Sequence, residues 1–170
     1  MGDLDAAVRY ALKNGANNII LLGYSMGGAI ALNFLLHSSR SEKVSAIVLD
    51  SPVVSAESLV HYGLLNEGRP KWVAPLLFPG VRAGLATVAQ VPWNQLNLLD
   101  CARSMSQPLL LFHCEADPVV PIKTSRQLVS DWRGEVTPVW LPGGGHVKGW
   151  NYFPDRYEEA LREFLSTYAE

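Results

Sequence analysis

The sequence predicts an α/β protein: a mostly parallel sheet of about four strands, with helices on both faces. Three observations predict it. Four short runs, 18–23, 44–49, 108–114 and 136–141, are apolar without strict alternation, as strands covered on both faces are. Stretches with helical spacing alternate with them, which is the order that right-handed crossovers build into a parallel sheet. The chain has 170 residues, enough for one domain that buries about 70% of its unfolded surface.

In chain order, residues 3–14 place Leu4, Ala7, Val8 and Ala11 at helical spacing, with Asp3 as N-cap and Gly15 as the stop. The first strand, 18–23, leads into GYSMGG. Residues 27–38 are rich in Ala and Leu and predict a buried helix. VSAIVL at 44–49 is the second strand and ends on Asp50-Ser51-Pro52. Residues 52–106 are the least regular part, with Pro52, Pro70, Pro75, Pro79 and Pro92, and they predict several short helices. PLLLFHC at 108–114 is the third strand, 122–133 a helix, VTPVWL at 136–141 the fourth strand, and 155–168 a closing amphipathic helix. Residues 1–170 form a single domain in this reading, with 55–105 as a cap inserted between strands.

Composition narrows the function. A net charge of -2 offers no basic face for nucleic acid or an anionic membrane. No apolar run approaches the roughly 18 residues of a membrane span. Two cysteines, Cys101 and Cys114, make no disulfide framework, and the first residues carry acids where a signal peptide has an apolar core. A cytoplasmic location is therefore expected. Cys101, His113, Cys114 and His146 lack the spacing of a metal site, and neither a G-x-G-x-x-G after the first strand nor a phosphate-binding G-x-x-x-x-G-K-[ST] occurs. No cofactor and no metal are expected.

In open parallel sheets, sites collect at the carboxyl ends of the strands. The polar residues there are Ser25, Asp50, Asp117 and, after the last strand, His146. A serine hydroxyl needs a base to take its proton, and the base needs an acid to fix its tautomer. GYSMG fits the G-x-S-x-G elbow: Gly23 and Gly27 permit a tight turn, Ser25 is raised above the strand, and the N–H of Met26 points to where an oxyanion would form. Gly28 lets the following helix start close to its neighbours. The plainer reading makes Ser25 a helix N-cap. His146 follows three glycines in a pliable loop. His37 ends a helix, His61 lies in the irregular region, and His113 ends a strand as a packed residue. Two acids compete to orient His146. Asp117 is favoured because it lies on the strand next to the one leading to His146; Asp50 is the alternative, or simply holds the turn before Ser51-Pro52.

GYSMGGAIALNFL, VSAIVLDSPVV, PLLLFHCEADPVVP and GGGHVKGWNYFPDRYEEALREFL resemble the carboxyl-terminal two-thirds of the α/β-hydrolase superfamily, in particular an uncharacterised group of serine hydrolases that shares the LDSP stretch. The chain order Ser, Asp, His is that of this superfamily. The resemblance implies a nucleophile at Ser25, an acid at Asp117, a base at His146 and a small-molecule acyl substrate cleaved at an ester, thioester or amide. Leu64, Trp72, Leu76, Leu77, Phe78 and Trp93 are candidate pocket residues. Cys114 stands where many relatives have glycine, a difference expected to change turn flexibility more than chemistry.

The resemblance also implies what is lacking. Such hydrolases have about four strands before the elbow strand, and a loop among them, often HGxx, supplies a second oxyanion N–H. No HG dipeptide occurs here. Losing one oxyanion donor costs about 10²–10³ in kcat, and the elbow strand would present an open apolar edge. The chain is then a piece of a longer protein, or pairs with another chain as in a homodimer, or has lost activity and serves as an interaction module.

Overall fold

The computed structural model describes residues 2–87 and 97–169. Its first helix, α1 (Gly2–Lys13), turns Leu4, Val8, Ala11 and Leu12 toward the core. Asp3, expected as the N-cap, lies inside the first turn with Asp5, because the helix already starts at Gly2. Both carboxylates then face the positive end of the helix. Asp5 also accepts from Ser38 Oγ at 2.8 Å and from Arg40 at 2.8 Å, which ties α1 to the far end of α2 (Met26–His37).

Four parallel strands follow the predicted ones to within a residue or two: β1 (Ile19–Tyr24), β2 (Val44–Asp50), β3 (Leu109–Cys114) and β4 (Val136–Leu141), in the order β1-β2-β3-β4. One register row runs through Tyr24, Asp50, Phe112 and Val139. That row ends β1 and β2, while β3 and β4 run two residues further, to Cys114 and Leu141; all four carboxyl ends still lie along a single edge of the sheet.

Side chains alternate between two cores. On one face Ile19, Leu21, Ile47, Leu49, Leu109 and Leu111 pack beneath α1, α2 and α5 (Ile122–Asp131). On the other, Ala46, Val48, Leu110, Phe112 and Leu141 pack beneath α7 (Pro154–Tyr168), where Tyr157 stacks on Phe112 at 3.8 Å between centroids. That cover thins toward β1: Leu22 is 49% exposed and Tyr24 45%. The longest crossover, between β2 and β3, carries α3 (Ala56–Asn66) and α4 (Val73–Thr87), with Pro79 inside α4, then a 3₁₀ turn over Leu99–Ser104. Ser55 caps α3, accepting from Ser58 N–H at 3.2 Å. A short helix, α6 (Gly149–Tyr152), precedes α7.

Of the candidate pocket residues, Trp72 (67%), Leu76 (68%) and Leu77 (44%) face solvent, whereas Phe78 lines a cavity with Glu57, Pro75, Pro79 and Arg82. Trp93 lies outside the described residues. Among the described residues no helix is long and apolar enough to cross a membrane.

Candidate active site

A single residue, Ser25, connects β1 to α2. Its backbone sits at φ 48°, ψ −116°, a region that costs a non-glycine residue on the order of 1–3 kcal/mol. The surroundings hold it there. Its N–H donates to Asp50 O at 2.9 Å, and its carbonyl accepts from Gly28 N–H at 3.0 Å and Val53 N–H at 3.1 Å. Two glycines make room. A Cβ at Gly23 would lie 2.7 Å from Gly28 Cα and 2.8 Å from the Gly27 carbonyl, and one at Gly28 would lie 2.7 Å from Pro52 Cβ. Gly27 differs from expectation: a Cβ there would meet nothing within 4 Å. The close approach is made at Gly23 and Gly28, where strand, helix and the 50–53 strap meet.

Ser25 occupies the N-cap position of α2 but makes no capping bond. Its Oγ lies 2.8 Å from His146 Nε2 instead. His146 Nδ1 lies 2.8 Å from Asp117 Oδ2. The other carboxylate oxygen, Oδ1, accepts from Val119 N–H at 2.8 Å and Val120 N–H at 2.9 Å, an Asx-type turn that aims Oδ2 at the imidazole. The insertion braces this loop from outside: Tyr62 Oη–H donates to Asp117 O at 3.0 Å, and Asn66 Nδ2 to Pro118 O at 2.8 Å. Met26 opens α2, and the first N–H groups of a helix have no intrahelical partner. Its amide is therefore free to face a developing negative charge.

Among the described residues, the non-glycine positions with positive φ are Ser25, Ser51 and Val147. Ser25 is a candidate site residue, Val147 follows the candidate base His146, and Ser51 follows the alternative acid Asp50. Strain of this kind concentrates where the surrounding structure fixes a functional geometry.

Asp50 is buried and does not reach His146 Nδ1. Its Oδ1 accepts from Ser51 Oγ at 3.1 Å and its Oδ2 from Tyr157 Oη at 3.2 Å. Burial pushes its carboxyl above the usual range, against the lowering effect of those two bonds. Burial, then the nearby Asp50 charge, raise the Tyr157 phenol, and burial raises the Cys114 thiol. Cys114 sits under the histidine loop: a Cβ on Gly144, at φ +76°, would come within 2.7 Å of Cys114 Sγ. Sulfur and glycine thus occupy one space, and the cysteine expected to alter turn flexibility acts through packing.

Nothing in the sequence signals that His113 touches Asp117, or that Tyr62 and the Val119 and Val120 amides hold it. The D-P-V-V-P string carries the only local signal, an Asp heading a tight turn. Among the described residues no group of three or more His, Cys, Asp or Glu side chains is placed to hold a metal ion.

Comparison with known proteins agrees with this fold. A family model described as "Alpha/beta hydrolase family" matches residues 1–160. The chain is 26% identical to the uncharacterized protein YfhR of Escherichia coli over 92% of its own length and 46% of YfhR. It is 27% identical to a pyrethroid hydrolase of Sphingobium wenxiniae, over 94% of this chain and 68% of that one. The solved structure of the Pyrococcus furiosus esterase Pf2001 superposes with a TM-score of 0.74 at 21% identity, covering 99% of this chain and 61% of the esterase. The chain thus spans between about half and two-thirds of the length of these relatives.

Proposed function

We propose that this chain, which belongs to the alpha/beta hydrolase family, acts as a serine hydrolase on a carboxylic ester, thioester or amide of a small-molecule acyl substrate. The observation that carries the reading is the continuous hydrogen-bonded line Ser25 Oγ, His146 Nε2, His146 Nδ1, Asp117 Oδ2, with 2.8 Å at both junctions. Ser25 Oγ attacks the acyl carbon while His146 Nε2 takes its proton. Asp117 holds the tautomer with the proton on Nδ1 and offsets the imidazolium charge. The carbonyl oxygen becomes an oxyanion, which the Met26 N–H and the positive end of α2 stabilise. His146 returns the proton to the leaving oxygen, sulfur or nitrogen. Water, deprotonated by the same imidazole, then cleaves the acyl-enzyme and restores Ser25. The insertion between β2 and β3, whose α3 braces the Asp117 loop through Tyr62 and Asn66, would serve as the cap.

Labelling with a fluorophosphonate probe tests this. Covalent label on Ser25 is expected, abolished in Ser25→Ala and strongly reduced in His146→Ala. Folded protein that takes no label, or that keeps it in Ser25→Ala, removes the reading.

A second reading is favoured by β1, whose outer edge has no partner strand among the described residues and whose Leu22 and Tyr24 are exposed. There the chain pairs through this edge, as an interaction module or as a dimer without turnover. Light scattering that finds a monomer, together with hydrolysis of p-nitrophenyl esters, eliminates it.

A further inference from the structure

Two histidines face the candidate acid. His146 takes Oδ2 from the solvent side. His113, at the end of β3 and fully buried, approaches the same oxygen from within, with Nε2 at 3.5 Å. Its ring is fixed at both nitrogens: Nε2 lies 3.1 Å from Val120 O and Nδ1 2.7 Å from Ser125 Oγ. A carbonyl only accepts, so Nε2 carries the hydrogen, and the Ser125 hydroxyl must donate to Nδ1. That tautomer directs one N–H between Val120 O and Asp117 Oδ2. Val120 is also a residue whose amide holds Oδ1. His113 therefore grips the acid's loop by its carbonyl and the acid itself by its charge.

We propose that His113 is a positioning residue for Asp117: its Nε2–H shares the carboxylate with His146 and so sets how much negative charge the base feels. This rests on the hydrolase reading for its meaning, though not for its test. Burial holds His113 below the usual imidazole range, against the raising effect of Asp117, so the ring acts as a neutral dipole. The other charged or titratable groups acting on this pair are His146 itself, Arg126 on α5 and Asp50 at the end of β2; the Cys114 thiol at the end of β3 also lies within their field. The sign follows. The positive end of the His113 dipole neutralises part of the Asp117 charge and disfavours a second positive group beside it. Removing the dipole leaves His146 easier to protonate.

The experiment is a titration of the His146 ring by NMR, its resonance assigned with His146→Gln, in the wild type, His113→Leu and His113→Gln. In His113→Leu the pKa of His146 is expected to rise by about half a unit or more. The acid limb of kcat/KM moves the same way, with kcat/KM falling by up to about threefold at pH 7 for a half-unit shift. His113→Gln, which can again place an amide N–H near Val120 O, restores both readings most of the way. Where His113→Leu does not fold, Ser125→Ala gives the same upward shift at smaller size, since it frees the ring that Ser125 holds. An unmoved His146 pKa in folded His113→Leu or Ser125→Ala overturns the proposal, and so does a glutamine variant that titrates like the leucine one. A wild type that shows the NMR shifts but takes no fluorophosphonate label removes the hydrolase reading and leaves the positioning role intact.

Discussion

The two edges of the sheet are built differently. On β4, Pro138 removes a backbone donor in mid-strand, Thr137 and Pro138 are exposed, and Arg126 lies over the Trp140 ring at 5.7 Å. Such features discourage another strand from adding. On β1, IILLGY has no proline and no charge, and Leu22 and Tyr24 lie open on the face that α7 covers elsewhere. Among the described residues, one edge carries these features and the other does not. The candidate site takes its nucleophile from the end of β1 and its base from the loop after β4. The proposed chemistry therefore depends on both halves of the sheet being held together along their carboxyl edge.

The largest effect tests that dependence. Ser25→Ala at the β1 end and His146→Ala at the β4 end should each lower ester hydrolysis by about 10⁴-fold or more, and the double variant little further, because residues that act as a unit lose their effect together. Losses that multiply in the double variant would mean two independent contributions.

Next come the glycines of the two halves. Gly23→Ala drives its Cβ into backbone and should cost about 1–3 kcal/mol or more in urea unfolding. Gly149→Ala meets mainly the ends of Leu141 and Tyr157, which can shift, and should cost less. Gly27→Ala, with open space at its Cβ, should change stability by less than about 0.5 kcal/mol or even raise it. Equal losses at 23 and 27 would place the need for glycine in the elbow's conformation rather than in the crossing of strand and helix.

The edges themselves respond at a smaller scale. Leu22→Lys should reduce self-association in sedimentation velocity while changing stability by about 1 kcal/mol at most. Pro138→Val should increase association by restoring a donor to β4. No change in either variant would remove the contrast between the edges.

The smallest effect lies between them. The folded-state pKa of Asp50 is raised, so ionising it costs the folded state. That cost is absent well below the ordinary value of 3.8, grows as pH rises above it, and is complete once pH exceeds the raised folded value. Asp50→Asn should therefore compare more favourably with wild type at pH 7.5 than at pH 4 in chemical denaturation.

The sheet is legible in the sequence because β1, β2 and β3 are apolar on both faces. Because parallel strands put all their carboxyl ends on one edge, Ser25, Asp117 and His146 can be grouped from their places in the chain alone. Asp50 is legible as an acid at a strand end, but its choice of partners is not: Tyr157, more than a hundred positions later, takes its carboxylate. His113 reads as a packed residue, which its burial bears out, while its second contact with Asp117 depends on how the 117–120 turn folds back. The insertion is least legible. Its apolar residues suggest a pocket lining, yet Trp72, Leu76 and Leu77 point outward, since residue type does not encode which face of a helix an insertion turns inward. Gly27 misleads for a related reason: the elbow pattern names two flanking glycines, whereas the contact that excludes a side chain lies at Gly28, one place further.

The backbone bonds around Ser25 have a consequence for motion. Its amide is bonded to Asp50 O, and its carbonyl to the amides of Val53 and Gly28. The turn is therefore an extension of the β1–β2 ladder rather than a surface loop. In deuterium exchange the amides of Ser25 and Val53 should be as slow as those of the neighbouring strands, opening only with the sheet itself. The residue proposed to be most reactive would then be among the last to see solvent through its own backbone.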